Sequence, residues 1–180
     1  MTFTFRCSHL QRRPSAYFIN LTNMQLPQRT DRLFFLSGIR IARISTVPFF
    51  VLTQLKQQIA TLGELGAQVT VVSGDGPGIE RLAKMRSIRC EVIDIPRAIS
   101  PYRDGLALMR LFLFFRRNKT QIAHSTTPKA GLLTAIAAFF AGVPVRLHTF
   151  TGQPWVNMRG VKKWLARYSD VLVGRLNTCC

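Results

Sequence analysis

Two patterns of hydrophobic and polar positions alternate along this chain. Short runs of β-branched and apolar residues recur between longer stretches whose apolar positions repeat at helical spacing, the signature of strands alternating with helices. Ile39 to Thr46 (IRIARIST) predicts a first core strand, and Phe49 to Leu65 the helix after it. Gln68 to Ser73 (QVTVVS) predicts a second strand and Cys90 to Ile95 a third. Ser100 and Pro101 read as the N-cap and first residue of a helix reaching Arg117, with Arg116, Arg117 and Lys119 at its negative dipole end. Gln121 to His124 is a short fourth strand, and Thr127-Pro128 opens a very apolar helix that stops at Gly142, with Pro144 just beyond. Val145 to His148 is a fifth strand, followed by a loop from Thr149 to Trp155 and a basic helix from about Gly160. Five such units predict an α/β domain over 33–180: a Rossmann-like fold whose mainly parallel sheet is flanked by helices. Residues 1–32 carry Arg6, Arg12, Arg13 and Arg29 without the continuous apolar stretch of a secretory signal, and are expected to form a poorly ordered basic extension. Phe34 and Phe35 would add either an edge strand or an interfacial anchor.

Composition narrows the possibilities. A chain of 180 residues that is 47% hydrophobic is no disordered polyelectrolyte, and it can bury a core without disulfide or metal. Cys7, Cys90, Cys179 and Cys180 show no CxxC spacing and read as inert thiols in a reducing, cytoplasmic setting. Against 8 acidic residues stand 25 Lys and Arg, and the net charge of +17 favours a polyanion: nucleic acid, anionic lipid or a phosphorylated substrate. Basic residues interleave with large apolar ones, as in Arg110-Leu-Phe-Leu-Phe-Phe-Arg116 and Lys162-Lys163-Trp164. That pattern suits an anionic membrane surface better than a phosphate backbone, the alternative being buried apolar faces edged by solvated arginines. A basic nucleic-acid-binding module would show a known motif or stacking aromatics on a polar basic face, and neither is evident, so no nucleic acid partner is expected. The longest apolar run, Gly131 to Val145, falls short of the roughly 20 residues of a membrane span.

Ligands of open parallel sheets bind beyond the carboxyl ends of the strands, so the residues just after each predicted strand carry the candidate chemistry. After the first come Ser45, Thr46, Val47, Pro48 and Phe49. Gly74, Gly76 and Gly78 follow the second, but a GxGxxG loop would need glycine where Ile79 stands, and they read as a turn. His124-Ser-Thr-Thr-Pro-Lys129 follows the fourth: hydroxyls and a lysine at a helix start favour a phosphate or diphosphate. Thr127 as a plain cap and Lys129 as a solvated side chain explain the same residues without a ligand. His148 could serve as a base near neutral pH, yet its own loop offers no carboxylate to orient it, so a satisfied core histidine is the competing reading. His9, His124 and His148 lack metal-ligand spacing.

Taken in order, Ser45-Thr-Val-Pro-Phe-Phe50, Gln68-Val-Thr-Val-Val-Ser73, His124-Ser-Thr-Thr-Pro-Lys-Ala-Gly-Leu-Leu133, Gly142-Val-Pro-Val145 and His148-Thr-Phe-Thr-Gly-Gln-Pro-Trp155 resemble the N-terminal, acceptor-binding domain of a family-4 glycosyltransferase of the GT-B fold, of the bacterial polysaccharide-assembly type. The resemblance spans roughly Ile39 to Cys180. It implies a nucleotide-sugar donor as substrate, no cofactor or metal, and a polyprenyl-diphosphate-linked sugar as acceptor. It also implies work at the cytoplasmic face of the plasma membrane, peripheral to an anionic surface. On this resemblance Thr46, Pro48 and Phe49 would line the acceptor cleft, Ser125, Thr126 and Lys129 would hold a diphosphate, and His148, Thr151 and Gly152 would surround the reaction centre. Thr46-Val47-Pro48-Phe49 stands where many relatives have a glycine pair, which assigns that loop to the acceptor only. Thr151 stands where relatives often carry histidine, so the family's catalytic histidine does not transfer, and His148 three residues earlier does not inherit its role by default. The family's C-terminal donor-binding domain would be missing or supplied separately, with little transferase activity expected from these residues alone. A genuine half-enzyme and a truncated inactive fragment both stay open.

Overall fold

The computed structural model describes residues 36–180 apart from 77, 84–87, 97, 99, 152, 153 and 180. The expectations for 1–32, for Phe34 and Phe35 and for Gly152 fall outside the described residues. Five strands, β1 (Arg40–Ile44), β2 (Gln68–Ser73), β3 (Ile88–Val92), β4 (Ile122–Ser125) and β5 (Val145–His148), form one parallel sheet in the order β3-β2-β1-β4-β5. Between them run α1 (Pro48–Phe50), α2 (Lys56–Glu64), α3 (Ile79–Ala83), α4 (Pro101–Arg117) and α5 (Pro128–Ala141), and α6 (Gly160–Leu176) follows β5. The expected Rossmann-like architecture is the observed one.

Strand alternation divides the core in two. Ala42, Ile44, Val72 and Ala123 point to one face and pack with Leu111 and Phe115 of α4 and Ala130, Ala137 and Ala138 of α5. Ile41, Val69 and Val71 point to the other face and pack with Val51 and Ile59. Because most of α5 packs against the sheet, α4 and α6, its sequence is apolar on every side rather than along one stripe; Phe139 and Phe140 near its end stay exposed.

β2, β5, α4 and α5 lie where the sequence predicts them. β1 is shorter than predicted at both ends, and β4 runs one residue later. β3 starts earlier than Cys90 because Ile88 pairs with Val69; Ile93 and Ile95 remain buried but lie beyond the ladder. The single helix predicted over Phe49 to Leu65 is broken into α1, a π-helical turn Val51–Leu55 and α2. Thr53 Oγ1 bonds Phe49 O at 2.9 Å within that wide turn, one of the local bonds with which Thr competes against regular helix.

α5 ends as predicted. Gly142 takes φ 73°, the left-handed region, while its N–H bonds Phe139 O and the Val143 N–H bonds Ala138 O. A Cβ at Gly142 would meet nothing within 4 Å, so Gly142→Ala should lose only the backbone preference. The expected cost is about 1 kcal/mol, read from the urea midpoint at unchanged slope.

Candidate functional site

Chain order reverses between β1 and β4, which places the natural ligand crevice over the carboxyl ends of those two strands. Backbone and hydroxyl groups draw these two strand ends and that of β2 together there. Ser45 N donates to Val72 O, Thr126 N donates to Ile44 O, and Thr46 N donates to Thr127 Oγ1 at 3.3 Å. Gly74 closes the approach from β2: a Cβ there would sit 2.9 Å from Thr46 O. The glycine-rich turn is therefore a close backbone contact at Gly74, and Gly78 adds a second, with φ 105° and Leu52 2.3 Å from where its Cβ would be. Ser45, Thr46 and Pro48 are buried under this rim, whereas Phe49 stands 68% exposed beside it.

Thr127 occupies the N-cap position of α5 but makes no side-chain cap, because its hydroxyl is turned to Thr46. The first amides of α5 have no partner within the helix, and no cap replaces one. Thr126 is 2% exposed, and its hydroxyl has no hydrogen-bond partner among the described residues. Together they leave a helix start with free donors at the crevice. Lys129 is not the solvated cation one could have expected. Its Nζ pairs with Asp104 Oδ1 at 2.8 Å and contacts Ala98 O, tying the start of α5 to the start of α4. Asp104 in turn accepts from Ser100 N at the N-cap of α4.

His148 ends β5 on the α5 side of the sheet, 3% exposed, with Nδ1 2.9 Å from Ser125 Oγ. Its ring stands edge-on to Phe150 and lies against Gly131. Burial pushes its pKa down, and Asp170 on α6 and the bond from Ser125 oppose that shift only in part. A carboxylate does face this histidine, but from α6 rather than from the histidine's own loop; Asp170 also accepts from Trp155 Nε1 at 2.7 Å. Thr151 donates to Thr126 O at 3.2 Å, so the loop after β5 is fastened to the loop after β4.

On the opposite side of the same edge lies a pair that the sequence did not single out. Arg43 of β1 is 2% exposed and meets His124 Nδ1, its register partner on β4. His124 Nε2 lies 2.9 Å from Thr149 Oγ1. Burial lowers Arg43 to about 10, and burial, Arg43 and His148 together lower His124 to about 4. A buried arginine carries no sequence signal of its own; only its place in an apolar strand, between Ala42 and Ile44, could have marked it.

The structure thus brings together Thr46, Pro48, Ser125, Thr126, Lys129, His148 and Thr151 at one sheet edge, with Phe49 beside it. Two cavities, both reaching Gln68 and Arg89, open at the opposite, amino-terminal ends of the strands. Among the described residues no three His, Cys, Asp or Glu side chains gather as a metal site, and no helix is long and apolar enough to cross a membrane.

The family model for a glycosyl transferase 4-like domain matches residues 51–179. The chain belongs to that family. This glycosyl transferase 4-like chain is 33% identical, over 108 residues, to the capsular polysaccharide biosynthesis glycosyltransferase CapM of Staphylococcus aureus, an alignment covering 60% of the chain and 28% of CapM. It is also 33% identical over 85 residues to the UDP-Gal:α-D-GlcNAc-diphosphoundecaprenol α-1,3-galactosyltransferase of Escherichia coli, covering 44% of the chain and 22% of that enzyme. The chain therefore spans under a third of either relative. Among solved structures, MurG of Acinetobacter baumannii superposes with a TM-score of 0.51 at 16% identity, over 77% of this chain and 39% of MurG. That likeness shows the shared fold of this glycosyl transferase 4-like domain.

Proposed function

We propose that this chain is the acceptor-binding part of a glycosyltransferase that moves a sugar from a nucleotide-sugar donor to a lipid-linked or polysaccharide acceptor in cell-surface glycan synthesis. The observation that carries this reading is the uncapped start of α5, with its free amides at the switch between β1 and β4 and the buried Thr126 hydroxyl, unpartnered among the described residues, just before it. A helix start of this kind favours a diphosphate, the group that links sugar to lipid in the acceptor named for the E. coli relative. Ser125 holds His148, Thr46 and Pro48 shape the rim, and Phe49 offers an exposed apolar contact for a lipid or sugar. His148, Thr151 and Gly152 border the reaction centre. The donor is a substrate held by a second Rossmann-like domain, within a longer form of the protein or on a separate chain, and neither cofactor nor metal takes part. The intact mass of the native polypeptide from its host tests that division: about twice the mass of these 180 residues supports a joined donor domain, and the mass of 180 residues alone a separate one.

Lys129 reaches the diphosphate only by sharing Asp104. Asp104→Asn should therefore tighten inorganic diphosphate several-fold and Lys129→Ala should weaken it, each at a stability cost of no more than about 1 kcal/mol because the pair is partly solvated. An unchanged affinity in both variants, measured by calorimetric titration, would remove Lys129 from the site.

Peripheral association with an anionic membrane fits the outer face of α4. Tyr102, Leu106, Met109 and Leu113 recur there at spacings of three and four and are all exposed, with Arg103, Arg110 and Arg117 running alongside at every seventh residue. Leu106→Glu combined with Met109→Glu should abolish sedimentation with phosphatidylglycerol vesicles. Equal binding to neutral vesicles, or a steep salt-dependent affinity for DNA in its place, would contradict this face.

A further inference from the structure

Arg43 is the least expected side chain in the sheet. It lies near the carboxyl end of the central strand, 2% exposed, and Ala42 and Ile44 on either side face the α4–α5 core, so its guanidinium points to the other face. The ion pair observed among the described residues joins Lys129 to Asp104, and Arg43 meets a histidine instead. Among the described residues its Nε is buried without a partner. A buried cation without a carboxylate is costly, and such groups persist where another charge or polar group is arranged around them.

Polarity along this cluster runs in one direction. A guanidinium has donors and no acceptor, so His124 Nδ1 must accept from Arg43. His124 is therefore neutral with its proton on Nε2, in keeping with the downward pressure of burial and Arg43 on its protonation. Nε2–H then donates to Thr149 Oγ1 across 2.9 Å. With that lone pair occupied, the hydroxyl of Thr149 has its own proton to give. Thr149 is exposed, is the first residue beyond β5, and anchors its amide on Ser125 O at 3.0 Å. Its hydroxyl therefore stands beside the crevice, backed through one imidazole by a permanent positive charge.

We propose that Arg43, His124 and Thr149 form a one-way hydrogen-bond relay that presents the Thr149 hydroxyl as a donor to a phosphate oxygen of the substrate, Thr149 making the contact and Arg43 and His124 positioning it. The proposal rests on the reading of this sheet edge as the substrate site. Phosphate oxygens are fitted because they only accept and carry the charge that the buried guanidinium lacks. The lipid diphosphate of an acceptor and the diphosphate of a nucleotide sugar share this chemistry.

Nitrogen-15 spectra of the histidine side chains in the full chain test the relay without a variant. His124 is expected as the Nε2–H tautomer with its Nε2 resonance moving when inorganic diphosphate is added; an Nδ1–H tautomer overturns the relay. Thr149→Val should weaken diphosphate about tenfold, the scale of one charge-assisted hydrogen bond, while Thr149→Ser keeps the affinity. Arg43→Met should bring a comparable loss and let both tautomers of His124 appear. Farnesyl diphosphate and UDP, titrated in turn, distinguish the lipid from the nucleotide source by which one reproduces the Thr149 dependence. If diphosphate moves the amides of Lys129 and Ala130 but Thr149→Val binds as the parent does, the relay fails and the α5 site stands. If no resonance at this edge responds, both fail.

Discussion

Gly131→Ala should be among the most damaging single-methyl additions to this protein, at about 3 kcal/mol of stability. A Cβ at residue 131 would lie 2.4 Å from His148 Cε1, 2.7 Å from Nδ1 and 3.0 Å from Nε2. The ring has no room to retreat. It is 3% exposed, held by Ser125 and set edge-on to Phe150 with centroids 4.6 Å apart. Relief must come from moving α5 away from β5, and Gly131 sits in the first turn of α5, beside the free amides of the crevice. Loss of stability and loss of diphosphate affinity should therefore appear together. Gly105→Ala on α4 is the matched control: its Cβ would meet nothing within 4 Å, and alanine in an exposed helix interior should add about 0.5–1 kcal/mol. Urea unfolding of the two variants in parallel measures both. A Gly131→Ala protein as stable as its parent would mean that His148 is not held in place as the structure has it.

Mild acid should destabilise the protein between pH 6.5 and 4. His124 is held near 4 against an ordinary value of 6.5, and His148 is shifted in the same direction. For both, the folded state resists a proton that the unfolded chain accepts, so their contribution to stability is complete above pH 6.5 and falls as the pH drops below it, for His124 over the range from 6.5 towards 4. The His124 shift corresponds to at most about 3 kcal/mol; water at this half-buried ring screens it to about 2 kcal/mol. Burial is the first cause at each ring, with Arg43 adding repulsion at His124 and Asp170 giving partial relief at His148. His124→Asn removes one proton from the linkage and should flatten the fall in melting temperature between pH 6.5 and 4. A parent protein with equal melting temperatures at both ends of that window would contradict the burial of these histidines.

How legible the molecule is in its sequence depends on which interactions are local. Thr127-Pro128 and Gly142 mark both ends of α5 because a rigid proline φ and a left-handed glycine are single-residue requirements. Gln68 to Ser73 is equally clear, since a run of β-branched residues between turn residues admits little else, and Val145 to His148 is marked by Gly142 and Pro144 before it. β3 slips because its bounds are set by pairing with β2, and the buried Ile93, whose amide still bonds Ser73 O, and Ile95 continue its apolar pattern past the last paired residue. The π-helical turn after Phe50 leaves no periodic trace over five residues.

Site residues follow the same division. Thr46, Ser125, Thr126 and His148 are visible in the sequence as polar residues at or just after strand ends, and the parallel sheet places them at one edge. What they touch was not visible: Thr127 reaches across to Thr46 rather than capping its helix, and Lys129 is occupied by Asp104, 25 residues earlier. Arg43 and Thr149 become partners of His124 only through the register of β1, β4 and β5. A strand order of β3-β2-β1-β4-β5 cannot be read from local pattern, and without it the relay has no members.

The crevice between β1 and β4, floored by the uncapped start of α5, is where we propose that the acceptor's diphosphate binds. Backbone amide shifts of the isotope-labelled chain, titrated with a short prenyl-diphosphate-linked sugar, test it most directly. The largest changes are expected at Lys129 and Ala130, with Thr46 and Thr149 moving alongside and Asp104→Asn tightening the binding. Changes centred instead on Arg40, Gln68 and Arg89 at the other end of the sheet, with the α5 amides unmoved, would contradict it.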